Sequence, residues 1–325
     1  MQFRTPLLLP PSHFLISHHD AIVSIGSCFA DVMGKYLTQF KFDVCSNPFG
    51  NIYQPISIFQ LLSLNEILQD DNFIQQNGQW YNFQLHSEIS AATKDELKRI
   101  ITEIHQNFIA KLTKASFLIV TLGTAWVYQQ KDNGNLVANC HKVIAQKFDK
   151  KLLDINTIQT TFETFHEQLL KLNPKIRLLF TVSPVRHIKD TLELNSVSKA
   201  LLRIFCHQMI STYNHIDYFP SYEIMMDDLR DYRFYEKDMI HPNEIAHEYI
   251  WESFSKTWLQ PDTIKTCIEW QKVSKSISHK PFQPKSEAYQ EFLKNTLIKL
   301  KSFEHLLDVN SEIQLIQEKI AKNVL

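Results

Sequence analysis

Short apolar runs alternate with helix-patterned stretches of crossover length, and this alternation leaves few architectures open. Ala21 to Ile25 reads as a buried strand, and Ala30 to Phe40 as a helix with Val32, Met33, Tyr36, Leu37 and Phe40 on its inward face. Lys41 to Cys45 reads as a second strand, followed by a helical stretch to about Asn65. The helical period from Lys94 to Lys114 leads into the strand Ser116 to Thr121. A helix over Asp154 to Leu172 precedes the strand Arg177 to Val182, and a helix over Ser198 to Thr212 precedes a short strand at Ile216 to Phe219. Strands joined in this way pair in parallel, so the expected class is α/β with a doubly wound sheet. Two hairpins interrupt it, Phe73 to Phe83 turning at Asn77-Gly78 and Trp126 to Cys140 turning at Asn133-Gly134. Such sheets bind ligands beyond the carboxyl ends of their strands. The segments of interest are therefore 26–29, 47–51, 123–126, 183–187 and whatever follows the fifth strand.

Composition narrows the function classes. The chain has 325 residues, enough for one large domain or two modest ones. Its 34 Lys plus Arg against 35 Asp plus Glu give a net charge of -1, which leaves no electrostatic footprint for nucleic acid. A 44% hydrophobic content with 22 Phe supplies a packed core and excludes intrinsic disorder. No apolar run approaches a membrane span. Leu7-Leu8-Leu9 near the start is broken by Pro6, Pro10 and Pro11, so Met1 to Pro11 does not read as a signal peptide. The five cysteines, Cys28, Cys45, Cys140, Cys206 and Cys267, are odd in number and form no CxxC pair. That argues against a disulfide framework or a zinc knuckle, and the expected location is cytoplasmic. Only 6 glycines are present where average usage gives about 23, so those remaining mark places where a side chain would not fit.

The character of the chain changes near Trp258, dividing it into a domain over 1–260 and an extension over 261–325. Lys272 to Lys285 is basic and contains Pro and Ser, the composition of a linker or surface loop. Ala288 to Asp308 and Ser311 to Lys322 are amphipathic, and Ser311 with Gln314 resembles a capping box. These helices either pack on the main domain or serve homo-oligomer formation.

Two constellations carry chemistry. In Asp238-Met239-Ile240-His241-Pro242, the aspartate lies three residues before a histidine, where it can fix the imidazole tautomer and stabilise an imidazolium. An ordinary surface turn is the competing reading. Gly26-Ser27-Cys28-Phe29-Ala30 crosses a strand-to-helix junction. Backbone N–H groups there favour negative charge, which lowers a thiol's pKa and receives an oxyanion. A buried structural cysteine is the alternative. His141, His215 and His247 have no mutual metal spacing, and no Gly-rich phosphate cradle is present, so neither metal nor cofactor is expected.

These segments resemble the GSCFA family in Gly26 to Ala30, Asn47-Pro48-Phe49-Gly50, Thr121 to Trp126, Asn139 to Lys142, Ser183 to His187, Ser198-Lys199-Ala200, Asp228 to Tyr235 and Asp238 to Pro242. The resemblance spans roughly residues 2–258. It implies a branch of the SGNH/GDSL hydrolase superfamily, with a flavodoxin-like three-layer α/β/α sandwich and acyl chemistry on oxygen. In register with that superfamily's Gly-Asp-Ser block, Cys28 takes the nucleophile's place, and Ser27 is the alternative after a one-residue shift. His241 and Asp238 match its Asp-x-x-His block. Gly50 and Gly123 match its oxyanion glycines, but Ala125 stands where the superfamily has Asn. Thr124, Asn139 or a backbone N–H must then replace that donor.

Arg186 and His187 follow the fourth strand and should bind a substrate carboxylate or phosphate unless Arg186 pairs with Asp190 or Glu223. Asn47 and Trp126 complete the expected substrate-binding set. Arg230, Asp231 and Arg233 read as a buried charge network behind the Asp238 loop. The expected activity is that of an acyl esterase or O-acyltransferase acting on a small-molecule, saccharide or lipid ester through an acyl-enzyme. The competing expectations are a catalytically weak binding protein for an acylated or anionic ligand and a thiol-dependent hydrolase of thioesters or amides.

Overall fold

A computed structural model describes residues 5–322, so the first four residues of the opening segment, and 323–325, lie outside the described part. The chain forms two compact units that are discontinuous in sequence. One comprises residues 5–9, Ala21–Lys35 and Val44–Ser253; the other comprises Pro10–Asp20, Tyr36–Asp43 and residues from Phe254 onward.

Ten strands occur among the described residues: β1 (Ala21–Gly26), β2 (Asp43–Ser46), β3 (Phe73–Gln76), β4 (Gln79–Asn82), β5 (Phe117–Leu122), β6 (Trp126–Gln130), β7 (Leu136–Val137), β8 (Phe148–Leu152), β9 (Arg177–Val182) and β10 (Ile216–Tyr218). Five of them build a central parallel sheet in the order β10-β9-β5-β1-β2, flanked by helices. In sequence order these five run 2-1-3-4-5 across the sheet, so the connections diverge between β1 and β5. A crevice opens at the carboxyl ends of two such strands. Val23 lies beside Leu118 and Ile25 beside Val120, while Val120 on its other side meets Phe180. All six residues of the central strand β5 are buried, which is why it reads as a continuous apolar run rather than an alternating one.

The phenylalanines account for much of the core. Phe59, Phe162, Phe165, Phe180 and Phe205 cluster with ring separations such as 5.2 Å for Phe59–Phe165 and 5.5 Å for Phe180–Phe205. Burying each ring contributes about 1.5–3 kcal/mol. Helix Lys94–Lys114 packs by its Leu97, Ile101, His105, Phe108 and Leu112 stripe. Thr93 Oγ1 accepts from Glu96 N at 3.2 Å to cap it, and acids in the first turn and lysines in the last match its dipole. Asp154 caps helix Ile155–Leu172 in the same way, accepting from Thr157 N at 2.9 Å.

Gly26 ends β1 at φ +140°, and a Cβ there would lie 2.2 Å from the Thr121 carbonyl oxygen of β5. Neither the conformation nor the contact admits a side chain. Gly26→Ala is expected to destabilise the fold by about 3 kcal/mol or more. A urea midpoint within error of wild type would refute this placement of β1 against β5.

Several elements depart from expectation. The second hairpin, β6–β7, is joined by a five-residue loop and gains a third strand, giving the sheet β7-β6-β8. Helix Leu192–Thr212 begins six residues earlier than its periodicity suggests, because Leu192, Leu194 and Val197 face outward and blur the amphipathic signal. Residues 272–278 are not linker. They continue helix Pro261–Ser278, whose buried Cys267, Trp270 and Val273 leave the basic side chains on the exposed face. That helix stops short of Pro281, which disfavours helical backbone in the residue before it. The expected capping box is absent as well: the helix starts at Asn310, Ser311 Oγ bonds Glu312 Oε2 at 3.0 Å, and Gln314 Nε2 reaches Glu318 Oε1.

In the second unit, helices Pro261–Ser278, Glu287–Lys301 and Asn310–Lys322 pack on one another, burying Trp270, Leu293, Leu300 and Ile316. The stretches Pro10–Asp20 and Tyr36–Asp43 are integral to it. Ile16 N donates to Trp258 O at 2.7 Å, Trp270 Nε1 donates to Gln39 O at 2.7 Å, and Lys41 pairs with Glu312 at 2.6 Å.

Candidate active site

The turn after β1 is built by backbone demands. Gly26 N donates to Asn47 Oδ1 at 2.8 Å, and Asn47 Nδ2 donates to Asp31 Oδ1 at 2.7 Å and Asn51 Oδ1 at 2.8 Å. Asn47, at φ +42°, therefore fastens the 26–31 turn to the 47–51 loop. Those bonds engage its side chain within the protein, which removes it from the expected substrate ligands. Ser27 is 1% exposed, its N–H donates to Thr121 O at 3.1 Å, and its Oγ accepts weakly from Phe29 N at 3.4 Å. Cys28 opens helix Cys28–Gln39, is half-buried and lines a cavity of about 550 Å³.

The second arm of the site is the loop before helix Glu244–Trp258. Asp238 Oδ1 accepts from Ile240 N at 2.9 Å and His241 N at 3.0 Å, while Oδ2 accepts from His241 Nδ1 at 2.6 Å. These bonds, led by the one to the ring, hold the Asp238 carboxyl down to about 2. They also assign the proton to Nδ1 and leave Nε2 as the basic atom. Asn243 Oδ1 accepts from Ala246 N at 3.1 Å to cap the following helix, so the ring sits at a loop edge, 48% exposed, and lines the same cavity as Cys28.

Arg186 holds this loop from behind. Its N–H meets Ile240 O at 3.4 Å, its terminal nitrogen bonds Met239 O, and its guanidinium lies 4.2 Å from the Tyr235 ring. It does not pair with either expected acid: Asp190 pairs with Lys150, and Glu223 bonds Arg203 and Tyr218. Arg230, Asp231 and Arg233 are not a buried network. Arg230 pairs with Asp227 and Arg233 with Asp231, all at the surface.

The expected oxyanion donors prove largely committed. Gly50 N donates to Asn47 O at 2.8 Å, and a Cβ on Gly50 would meet His86 at 2.3 Å. Gly123 N and Thr124 N both donate to Tyr53 O, at 2.7 and 3.0 Å. Thr124 Oγ1 accepts from Trp126 N and contacts Ser198 Oγ, each at 3.1 Å. Asn139 lines the cavity, and its Oδ1 accepts from His141 N at 2.9 Å, leaving Nδ2 as the donor its side chain can offer. His141 itself is structural, buried and stacked on Tyr81 at 5.0 Å. Trp126 lines the cavity with Lys150 Nζ 5.3 Å from its ring centroid.

Three participants stand outside the expected site residues, although Lys199 falls in the Ser198-Lys199-Ala200 segment that resembles the family. Lys199 is 1% exposed and donates to Gly123 O at 2.8 Å and Ser183 O at 2.7 Å, tying together the chain just past β5 and β9. Burial pushes its ammonium down to about 7, against the pull of Cys28. Tyr53 lines the cavity beside Cys28, and burial, with Cys28 and Asp31, pushes its phenol up to about 12. Lys150 reaches the cavity from β8, a strand absent from the expected fold. Burial pushes the Cys28 thiol up, with Asp31 acting the same way, while Lys199 and the N–H groups of residues 28 and 29 act against them. Burial thus outweighs the helix-terminus lowering expected from position alone. His187, in edge contact with Tyr53 at 5.9 Å, is held down to about 3 by burial and by Lys199, His241 and Lys150. Among the described residues no cluster of three or more His, Cys, Asp or Glu side chains is arranged to hold a metal ion.

Fold and site define an α/β protein with a parallel sheet whose candidate chemistry lies beyond the carboxyl ends of its strands. Residues 21–254 match the GSCFA family and residues 270–322 match the GSCFA domain protein C-terminal domain, so the chain belongs to the GSCFA family. No curated protein matches the sequence. No helix among the described residues is long and apolar enough to cross a membrane.

Proposed function

We propose that the protein is an ester hydrolase or O-acyltransferase of the SGNH/GDSL type, acting through an acyl-enzyme on Cys28 in a reducing, cytoplasmic compartment. The observation that carries this reading is the 2.6 Å Asp238–His241 bond on a ring that shares one cavity with Cys28. The 2-1-3-4-5 strand order and the position of Cys28 just past β1 support the superfamily link. Because burial keeps Cys28 as a thiol, a base is required. His241 Nε2 takes the proton from Sγ as sulfur attacks the ester carbonyl, and Asp238 holds the resulting imidazolium. His241 then protonates the departing alkoxide, leaving a thioester that water, or an acceptor hydroxyl, resolves. The N–H of Cys28, the Tyr53 hydroxyl and Asn139 Nδ2 are the donors left for the oxyanion, and Tyr53 stays protonated up to about pH 12.

Hydrolysis of short-chain p-nitrophenyl esters tests this. His241→Ala is expected to lower kcat/KM by about 10³-fold or more, and equal rates for the two proteins would end the reading. A second reading, a binding protein with weak or no turnover, is favoured by Ala125 together with the engagement of the Gly123 and Thr124 amides by Tyr53 O. It predicts that an acylated ligand binds and is recovered intact.

A further inference from the structure

The cavity wall formed by the segment after β9 contains two nitrogens with no partner among the described residues. Arg186 Nε and His187 Nε2 are buried, and neither has a hydrogen-bond partner among the described residues. Buried polar atoms in folded proteins are overwhelmingly paired, so two orphans on consecutive residues of one cavity mark a place where a ligand atom completes the pairing. One terminal nitrogen of Arg186 is on Met239 O, while its Nε is left without a partner among the described residues. The charge of the lining points the same way. Lys150, Arg186 and Lys189 face the cavity against one carboxylate, Asp190, which is itself paired with Lys150. Burial, with Lys199, His241 and Lys150, keeps His187 neutral, so its ring can donate from Nε2 without adding a further unpaired charge. Apolar Val127, Val137, Val185 and Ile240 line the same cavity and suit a carbon chain.

We propose that the substrate of this cavity carries an anionic oxygen group, carboxylate or phosphate, received by Arg186 Nε and His187 Nε2. The inference rests on the acyl-transfer reading for the rest of the substrate but not for the anion itself. Because the same guanidinium bonds Met239 O, an anion bound there also braces the loop that presents His241.

Calorimetric titration of the full chain with monomethyl succinate, monomethyl phosphate and methyl butyrate tests the proposal. At least one anion is expected to bind about tenfold or more tightly than the neutral ester, with affinity falling as salt is raised. The carboxylate and phosphate arms identify which oxyanion is preferred. His187→Phe, which keeps a ring against Tyr53, is expected to weaken that preference severalfold, and His187→Gln, which restores a side-chain amide donor, to recover part of it. Thermal melts of both variants establish that they fold. Equal binding of neutral and anionic probes, or a preference undiminished in a folded His187→Phe, overturns the proposal. Kinetics on p-nitrophenyl hemisuccinate and p-nitrophenyl butyrate separate the two levels. Hydrolysis of both esters without discrimination leaves the hydrolase standing and removes the anion site. Anion binding without turnover of either ester does the reverse.

Discussion

Cys28→Ala is expected to lower p-nitrophenyl ester hydrolysis by about 10⁴-fold or more, whereas Ser27→Ala should stay within about threefold of wild type. The two residues are adjacent, yet the helix start turns them in different directions. Ser27 is packed under the turn at 1% exposure, its backbone tied to β5 and to Ala30. Among the described residues its hydroxyl makes a single long contact, 3.4 Å from Phe29 N, so removing it takes little from the structure. Cys28 shares its cavity with the His241 ring. Cys28→Ser provides a further discriminator, because His241 can also deprotonate an alcohol; residual activity there but not in Cys28→Ala identifies the side chain at 28 as the nucleophile. Peptide mapping after iodoacetamide treatment must separate Cys28 from Cys140, which lines the same cavity and whose thiol is pushed up to about 11 by burial. The opposite pattern, an inactive Ser27→Ala beside an active Cys28→Ala, would transfer the role to Ser27.

Lys199→Met is expected to destabilise the protein by about 3 kcal/mol near pH 9, with a smaller deficit near pH 7. Both halves of this expectation come from the same buried nitrogen. At pH 9 the wild-type side chain is neutral yet still donates to Gly123 O and Ser183 O, and methionine leaves both carbonyls unpaired at a cost of about 1–3 kcal/mol each. Near pH 7 and below, the wild type carries a desolvated ammonium, a burden the variant lacks. The folded-state value of about 7 lies below the ordinary 10.5, so between those pH values the unfolded chain holds a proton that the native chain has released. Wild-type stability contributed by this group therefore rises with pH across that window, at up to about 1.4 kcal/mol per pH unit, and is flat below it. Urea unfolding of both proteins from pH 6 to 9.5 measures the difference. A deficit that stays constant, or shrinks as pH rises, would refute the buried-cation account.

The arm carrying His241 was legible in sequence because its geometry is local. An aspartate three residues from a histidine can reach both the loop amides and the ring without help from elsewhere, as the bonds to Ile240 N, His241 N and Nδ1 illustrate. The strands β1, β5 and β9 were legible because a parallel strand buried on both faces leaves an unbroken apolar run. The helix over 272–278 is hidden in the sequence because its basic outer face dominates local composition while the stripe of Cys267, Trp270 and Val273 does the packing.

The donors and cations around the cavity depend on long-range contacts, which no local pattern encodes. Gly123 N is a free donor in any sequence motif, and only the approach of Tyr53 O, some seventy positions earlier, engages it. Lys199 looks like an ordinary helical lysine until two strand ends close around its Nζ. Lys150 enters from a strand that forms only by pairing with β6.

By itself, the sequence determined the parallel α/β class, the positions of the principal strands and the local Asp238–His241 pairing, because these follow from periodicity, glycine placement and short-range spacing. Tertiary structure alone decided that Ser27 is packed away while Cys28 meets the cavity, that the expected oxyanion amides are tied to Asn47 and Tyr53, and that a buried lysine ties strand ends together. The physical reason is that a backbone donor or a charged side chain has no fixed role until folding settles which distant acceptor it meets and how much water it loses.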